Sequence, residues 1–299
     1  MARANGKVIL LGEHAVVYGV PAIAAGIERG VRAEAERAAS ASLVIGDRSA
    51  RVGDGSELAG AFAALLAALG VTPVAVQATL EIPAGSGLGA SAALGVAIAR
   101  AALLALGEAE DPARVLAAAA AWEGVYHGNP SGVDAAAAAN DGCIWFEKGQ
   151  PIQPLALGCD LALAIGIAGP PASTKLMVEG VARLRERRPA VFDKALAGIS
   201  ALVKNARLCL EASDVPGLGS LMNYNQMLLS GLFVSTEGIE RCCAIARDAG
   251  AFGAKLTGAG GGGAVVALCD RDFEPILAAW RAAGIECFGS HVRARRVTA

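Results

Sequence analysis

Two carboxylates, Glu123 and Asp134, lie on segments that are otherwise almost wholly apolar. Burying an acid in such company is costly unless it is paired or binds a cation. On pattern alone, exposure to solvent accounts for each of them equally well. Lys7, next to Gly6 at the head of the first apolar run, is the third charge of interest. A lysine that opens a strand is ordinarily solvated. Ser91 closes a glycine-rich stretch, IPAGSGLGASAA at residues 82–93. Its hydroxyl has two readings that both stay open: a cap for the helix that follows, or a ligand for Mg²⁺.

That stretch joins a strand-like run, 74–82, to an apolar helix-like run. Glycines there let the backbone approach an anion closely, and a helix starting near Ala90 adds its free N–H groups and partial positive charge. The string G-x-x-x-x-G-K-[ST] occurs nowhere, so the phosphate loop that ends in lysine is absent. Gly87-x-Gly89-x-x-Ala92 does imitate the dinucleotide fingerprint. The acid that fingerprint requires should end a second strand. Glu108, Glu110 and Asp111 have the spacing but lie in a turn between helices, so the context fails. Gly258-x-Gly260-x-x-Gly263 fails too, because a strand follows it, not a helix.

Composition narrows the classes. Of 299 residues, 54% are hydrophobic and 18% charged, which supplies a packed core and argues against disorder. A net charge of −2 gives no basic field for nucleic acid. No apolar run approaches the ~20 residues of a membrane span. The start, MARANGKVILLGEH, lacks the cleavage-site residues of a signal peptide, so a cytoplasmic protein is expected. The seven cysteines include no C-x-x-C pair, which points to free thiols and neither a disulfide framework nor a zinc site.

Periodicity predicts strands at 7–11, 22–27, 30–38, 42–45 and 74–82, and helices at 57–69, 91–106 and 112–125. Asp111-Pro112 reads as a helix start. A tight loop at 127–132 leads to a short helix ending at 139 and a strand at 143–148. The Gly/Pro/Gln-rich stretch 149–154 marks a domain boundary, giving domains 1–153 and 154–299. Beyond it come a strand at 161–168, helices at 173–186, 189–212, 215–229 and 236–248, a strand ending near 257, a strand at 264–269, a helix at 273–283 and a strand at 286–293. The class is α+β. Arg183, Arg185, Arg187 and Arg188 read as a solvated helix end.

Three blocks in order, GKVILLGEHAVVYGVPAIAAGI (6–27), IPAGSGLGASAALGVA (82–97) and KLTGAGGGGAVVAL (255–268), resemble the GHMP kinases. These are the galacto-, homoserine, mevalonate and phosphomevalonate kinases. Within that family GEHAVVYG, HGNPSGVDAA (127–136), PASTKLMV (171–178) and LGSLMNYNQMLLSGLFVSTEGIERC (218–242) are similar to the branch that phosphorylates mevalonate. One departure is Ala90-Ser91, where the family often has two serines.

The resemblance implies a two-domain fold. Its N-terminal, ATP-binding and catalytic domain resembles ribosomal protein S5 domain 2, and its C-terminal domain is ferredoxin-like. It implies ATP and Mg²⁺ as cofactors, mevalonate as the small-molecule partner, and a homodimer as a state common among relatives. Gly85, Ser86, Gly87, Leu88, Gly89, Ala90 and Ser91 would wrap the phosphates. Ser91 and Glu123 match the Mg²⁺ ligands. Asp134 matches the catalytic aspartate and Lys7 its neighbour. Glu13, His14 and Ser131 match positions lining the substrate pocket. Thr174 matches a threonine near the reacting phosphate. Gly258, Ala259 and Gly260 would bring backbone against phosphate and substrate. A homologue that has lost catalysis is the contrasting reading, but Lys7, Ser91, Glu123 and Asp134 are all present.

Overall fold

The computed structural model describes residues 1–127, 131–170 and 172–294. The tight loop expected at 127–132 and the first residue of PASTKLMV therefore lie partly outside the described residues. The chain forms two compact units. One contains residues 1–7, 29–84 and 89–140, and the other 8–28, 85–88 and the chain from 141 onward.

Strands β1 (Ala2–Leu11) and β2 (Ala22–Arg37) pass through both units. β1 starts five residues before the expected 7, so Lys7 sits inside the strand and does not open it. β2 is one strand where two were expected. The sequence Glu28-Arg29-Gly30 imitates a break. Gly30 is needed for a different reason: a Cβ there would stand 2.0 Å from the Ala4 carbonyl oxygen, so two backbones meet at that point.

In the first unit β3 (Ser42–Ile45), β4 (Arg48–Arg51) and β5 (Val74–Leu80) give the order β4-β3-β5-β2. β3 and β5 are parallel and the other neighbours antiparallel. β4 was not expected, since RSAR buries only Ala50. It is an edge strand joined to β3 through Gly46-Asp47, with Gly46 at φ 59°. Helices α1 (Glu57–Leu69), α2 (Ala90–Leu106), α3 (Pro112–His127) and α4 (Val133–Ala139) complete the unit. Ser56 caps α1 through the Ala59 N–H, and Asp111 accepts from the Ala113 N–H at 2.9 Å at the start of α3. Phe62, Leu65, Ile98, Val115 and Trp122 pack with Val31 and Val76 in one core.

The second unit holds a 3-10 turn (Ala15–Tyr18), the short strands β6 (Cys143–Phe146) and β7 (Gln153–Pro154), and β8 (Leu161–Ile167), β9 (Gly253–Leu256), β10 (Ala264–Cys269) and β11 (Cys287–Val292). The last four are ordered β11-β8-β10-β9, all neighbours antiparallel. Numbered from β8, that order is 4-1-3-2, the ferredoxin-like arrangement. Helices α5 (Thr174–Arg187), α6 (Pro189–Ala212), α7 (Val215–Gly231), α8 (Glu237–Asp248) and α9 (Glu274–Ala282) accompany it. The arginine cluster is exposed as expected, with one addition: the Arg185 guanidinium lies 5.4 Å from the Tyr18 ring centroid and 5.8 Å from that of Phe192. Among the described residues no helix is long and apolar enough to cross a membrane.

Candidate active site

In the first unit, Lys7 and Asp134 meet although nothing in their spacing announces it. Lys7 is 1% exposed, and its Nζ stands 3.0 Å from Asp134 Oδ1. The solvated lysine expected from its place in the strand is thus a buried one. The Asp134 side chain keeps 34% of its exposure, so one side of the carboxylate remains open. Asp134 lies in the first turn of α4, behind Gly132 at φ 86°. The nearby Ser131 hydroxyl accepts from the Val133 N–H at 3.4 Å.

Glu123 is 5% exposed on α3, against the exposure that pattern alone allowed. Burial first, and the Asp134 charge second, push its carboxyl up to about 8, with Lys7 pulling the other way. Ser91 lies on the helix packed against α3. α2 and α3 are joined by a short turn and run antiparallel, and a Cβ on Gly95 would touch Ala119 and Trp122 at 3.1–3.3 Å. One turn back along α2 is Ser91, and one turn forward along α3 is Glu123.

The Ser91 hydroxyl caps nothing. Gly89 holds the N-cap of α2 at φ 75°, with no side-chain cap. Ser91 Oγ is buried without a hydrogen-bond partner among the described residues. An orphaned buried hydroxyl on a helix packed against one that carries a buried carboxylate is a fit for a hard cation that takes its other oxygens from phosphate and water. Gly89 is fixed twice over, by its φ and by Lys7, whose Cγ would be 2.7 Å from an added Cβ. The uncapped N–H groups at the head of α2 suit an anion.

Glu123 yields a prediction by sign. Its raised carboxyl favours the folded state fully below the ordinary 4.5, and this contribution is lost as pH rises through about 8. Without metal, the melting temperature should therefore fall between pH 6 and 9, and Glu123→Gln should flatten that fall. A Mg²⁺ ion held by Glu123 would have to displace the same proton, and its apparent affinity would then rise with pH up to about 8, by at most about tenfold per pH unit. Magnesium titrations at pH 6.5 and 8.5 check it; equal affinities would mean that Glu123 does not bind the ion.

In the second unit, residues 85–88 lie against the glycines of the third block. A Cβ on Gly87 would stand 2.9 Å from the Thr257 carbonyl oxygen, and one on Gly258 3.0 Å from that of Gly87. Ser86, buried at 3% exposure, accepts the Ala264 N–H through its carbonyl at 2.8 Å. Leu88 is buried at 1% exposure. A Cβ on Gly260 would stand 2.2 Å from the Val234 carbonyl oxygen. Residues 86–88 and Gly258 therefore lie together within the second unit.

Glu13 and His14 follow β1. Glu13 is 1% exposed, and its carboxylate pairs with Lys255 through Oε1 and accepts from Asn225 Nδ2 at 3.1 Å. His14 is 8% exposed, with Nε2 2.9 Å from the Ala259 carbonyl oxygen. Burial, opposed by that hydrogen bond, lowers its pKa. Thr174 is the exposed first residue of α5, behind Ser173, which caps nothing. Sequence reasoning passed over Lys255, Asn225 and Thr257, all buried to 1% exposure or less. The available signals were a lone lysine in an apolar strand and Asn225-Gln226 inside an apolar helix.

Two family models match the chain: the GHMP kinases N terminal domain over residues 57–142 and the GHMP kinases C terminal over residues 205–286. The chain belongs to the GHMP kinase family. Among GHMP kinases it is 34% identical to a mevalonate kinase of Methanothermobacter thermautotrophicus, over 94% of this chain and 95% of that one. It is also 34% identical to a mevalonate kinase of Thermococcus gammatolerans, over 95% and 93%. Its fold superimposes on the crystal structure of L. major mevalonate kinase in complex with R-mevalonate with a TM-score of 0.88, at 30% identity, covering 99% of this chain and 96% of that one. With mevalonate kinases as relatives over nearly its whole length, it is an ATP-dependent phosphotransferase acting on an alcohol.

Proposed function

We propose that the chain is a mevalonate kinase, transferring the γ-phosphoryl of ATP to the C5 hydroxyl of (R)-mevalonate. The observation that carries the chemistry is the Lys7–Asp134 pair, a buried ammonium holding a half-open carboxylate at 3.0 Å. The substrate follows from the relatives, which bear that name at about one-third identity over nearly their whole length.

Phosphoryl transfer asks mainly for alignment and charge stabilisation. Asp134 Oδ, held by Lys7 at 3.0 Å, takes a hydrogen bond from the C5 hydroxyl and receives its proton as the oxygen attacks. The Lys7 ammonium also stabilises negative charge gathering on the transferring oxygens. Residues 85–91 direct backbone N–H groups and the α2 N-terminus at the phosphates. Ser91 and Glu123 would hold Mg²⁺. Bound there, it neutralises phosphate charge. Ser131 in the first unit, and His14, Thr174 and Gly258–Gly260 in the second, match the family's substrate and phosphate positions.

The reading is tested by the product. Phosphorus and proton NMR of a reaction with ATP, Mg²⁺ and (R)-mevalonate should show one phosphomonoester coupled to the C5 methylene protons. A phosphate elsewhere on the molecule would sink the assignment of Asp134 to that hydroxyl.

A further inference from the structure

The residue beside Glu13 adopts a backbone conformation that only a well-braced chain keeps. His14 has φ 59° and ψ −45°, and the Ala15 N–H donates to the Glu13 carbonyl at 2.6 Å. An i to i+2 bond across a residue with those angles is the strained form of the γ-turn, rare for any residue with a side chain. The approach is constrained as well. Gly12 stands at φ 105°, and a Cβ there would be 2.7 Å from the Pro21 carbonyl oxygen.

The bracing is visible on both sides of the turn. Ahead of it, the Glu13 carboxylate is held by Lys255 and Asn225. Lys255 is wholly buried, and its ammonium also donates to the Ile9 carbonyl at 3.3 Å and the Leu256 carbonyl. Its three protons are all in use, and they tie the end of β1 to β9. The Thr257 hydroxyl accepts from the Ile9 N–H at 2.7 Å and adds a second tie. Asn225 Oδ1 has no partner among the described residues, so the bond from Nδ2 to Glu13 is what orients that amide. At the turn itself, the His14 ring is fixed on Ala259.

We infer that Glu13, Lys255 and Asn225 are positioning residues: the buried ion pair locks the strained turn at His14 and so fixes the imidazole against the Gly258–Gly260 loop. Glu13 then serves the pocket from behind and does not meet the substrate. The consequence for turnover rests on the kinase reading; the locking of the ring does not.

The discriminating comparison is Glu13→Ala against Glu13→Gln. Glutamine still offers an oxygen to Lys255, and its NH2 can donate to the unpartnered Asn225 Oδ1 once that amide turns over, whereas alanine offers neither. In ¹⁵N-histidine-labelled protein, which has three histidines, the His14 ring N–H should exchange slowly with solvent. In Glu13→Ala that protection should be lost and KM for (R)-mevalonate should rise about thirtyfold or more, with kcat changed far less. Glu13→Gln should restore the protection and most of the KM. Should Glu13→Ala fail to fold, Asn225→Leu removes one brace at constant charge. It should speed the ring N–H exchange and raise KM several-fold. Ring protection that survives Glu13→Ala or Asn225→Leu would overturn the inference. A Glu13→Gln variant as impaired as Glu13→Ala, with the ring still protected, would make Glu13 a direct substrate contact. Wild-type protein inert toward mevalonate but with the expected exchange pattern would refute only the kinase reading.

Discussion

Asp134→Asn is expected to lower kcat by roughly a thousandfold or more while leaving the protein folded and KM little changed. Asparagine is nearly isosteric and keeps an oxygen that can accept from Lys7. The ammonium, 1% exposed, therefore retains a partner. What it loses is the charge and basicity needed when the hydroxyl proton leaves. Asp134→Ala removes the partner too. A buried charge without its counter-ion is costly, so that variant mixes a folding defect with the catalytic one. Steady-state rates together with thermal melts separate the two. Asp134→Asn turnover within tenfold of wild type would take Asp134 out of the proton-handling role.

Lys7→Met should cost about a hundredfold in kcat, and it should also move the pH profile. Here the pair breaks from its other side. Asp134, with a third of its side chain exposed, can recruit water, so the fold should tolerate the change better than Asp134→Ala. Lys7 also stabilises the ionised form of Glu123. Without it that carboxyl should titrate higher still, so the rise of apparent Mg²⁺ affinity with pH, and with it activity at limiting Mg²⁺, should shift upward. The double variant Lys7→Met/Asp134→Asn should be much less impaired than the product of the single effects, because the two side chains act as one unit. A multiplicative loss, with an unshifted pH profile, would mean that they work independently.

The helices were the most legible part of the fold. α1 and α6 occupy the expected spans, and α8 begins one residue later than expected, behind its capping threonine. Periodicity and end signals are local, and local sequence carries them. β4 was invisible because an edge strand with one buried residue has no alternating pattern to read. The false break in β2 has the opposite origin. Gly30 looks like punctuation, yet it serves a contact with Ala4, far away in the chain.

The site divides the same way. The glycine-rich stretch between strand and helix was legible from composition and from its place, and the structure begins α2 right after it, at Ala90. The burial of Lys7 and Glu123 was not, since it depends on strands and helices distant in sequence. Of the two readings of Ser91, the structure removes the cap: Gly89 holds it, and the hydroxyl has no partner among the described residues. Lys255 was hidden for another reason. Within a motif dominated by glycines, a single lysine reads as incidental, and only its wholly buried contact with Glu13 shows otherwise.

The most direct test couples ADP release to a spectroscopic readout, with ATP, Mg²⁺ and (R)-mevalonate, beside parallel reactions on phosphomevalonate and galactose. Wild-type protein should turn over mevalonate at least a hundredfold more efficiently than either alternative, and Asp134→Asn should abolish most of that rate. Preferred turnover of phosphomevalonate or galactose would contradict the substrate. Undiminished mevalonate turnover by Asp134→Asn would contradict the mechanism.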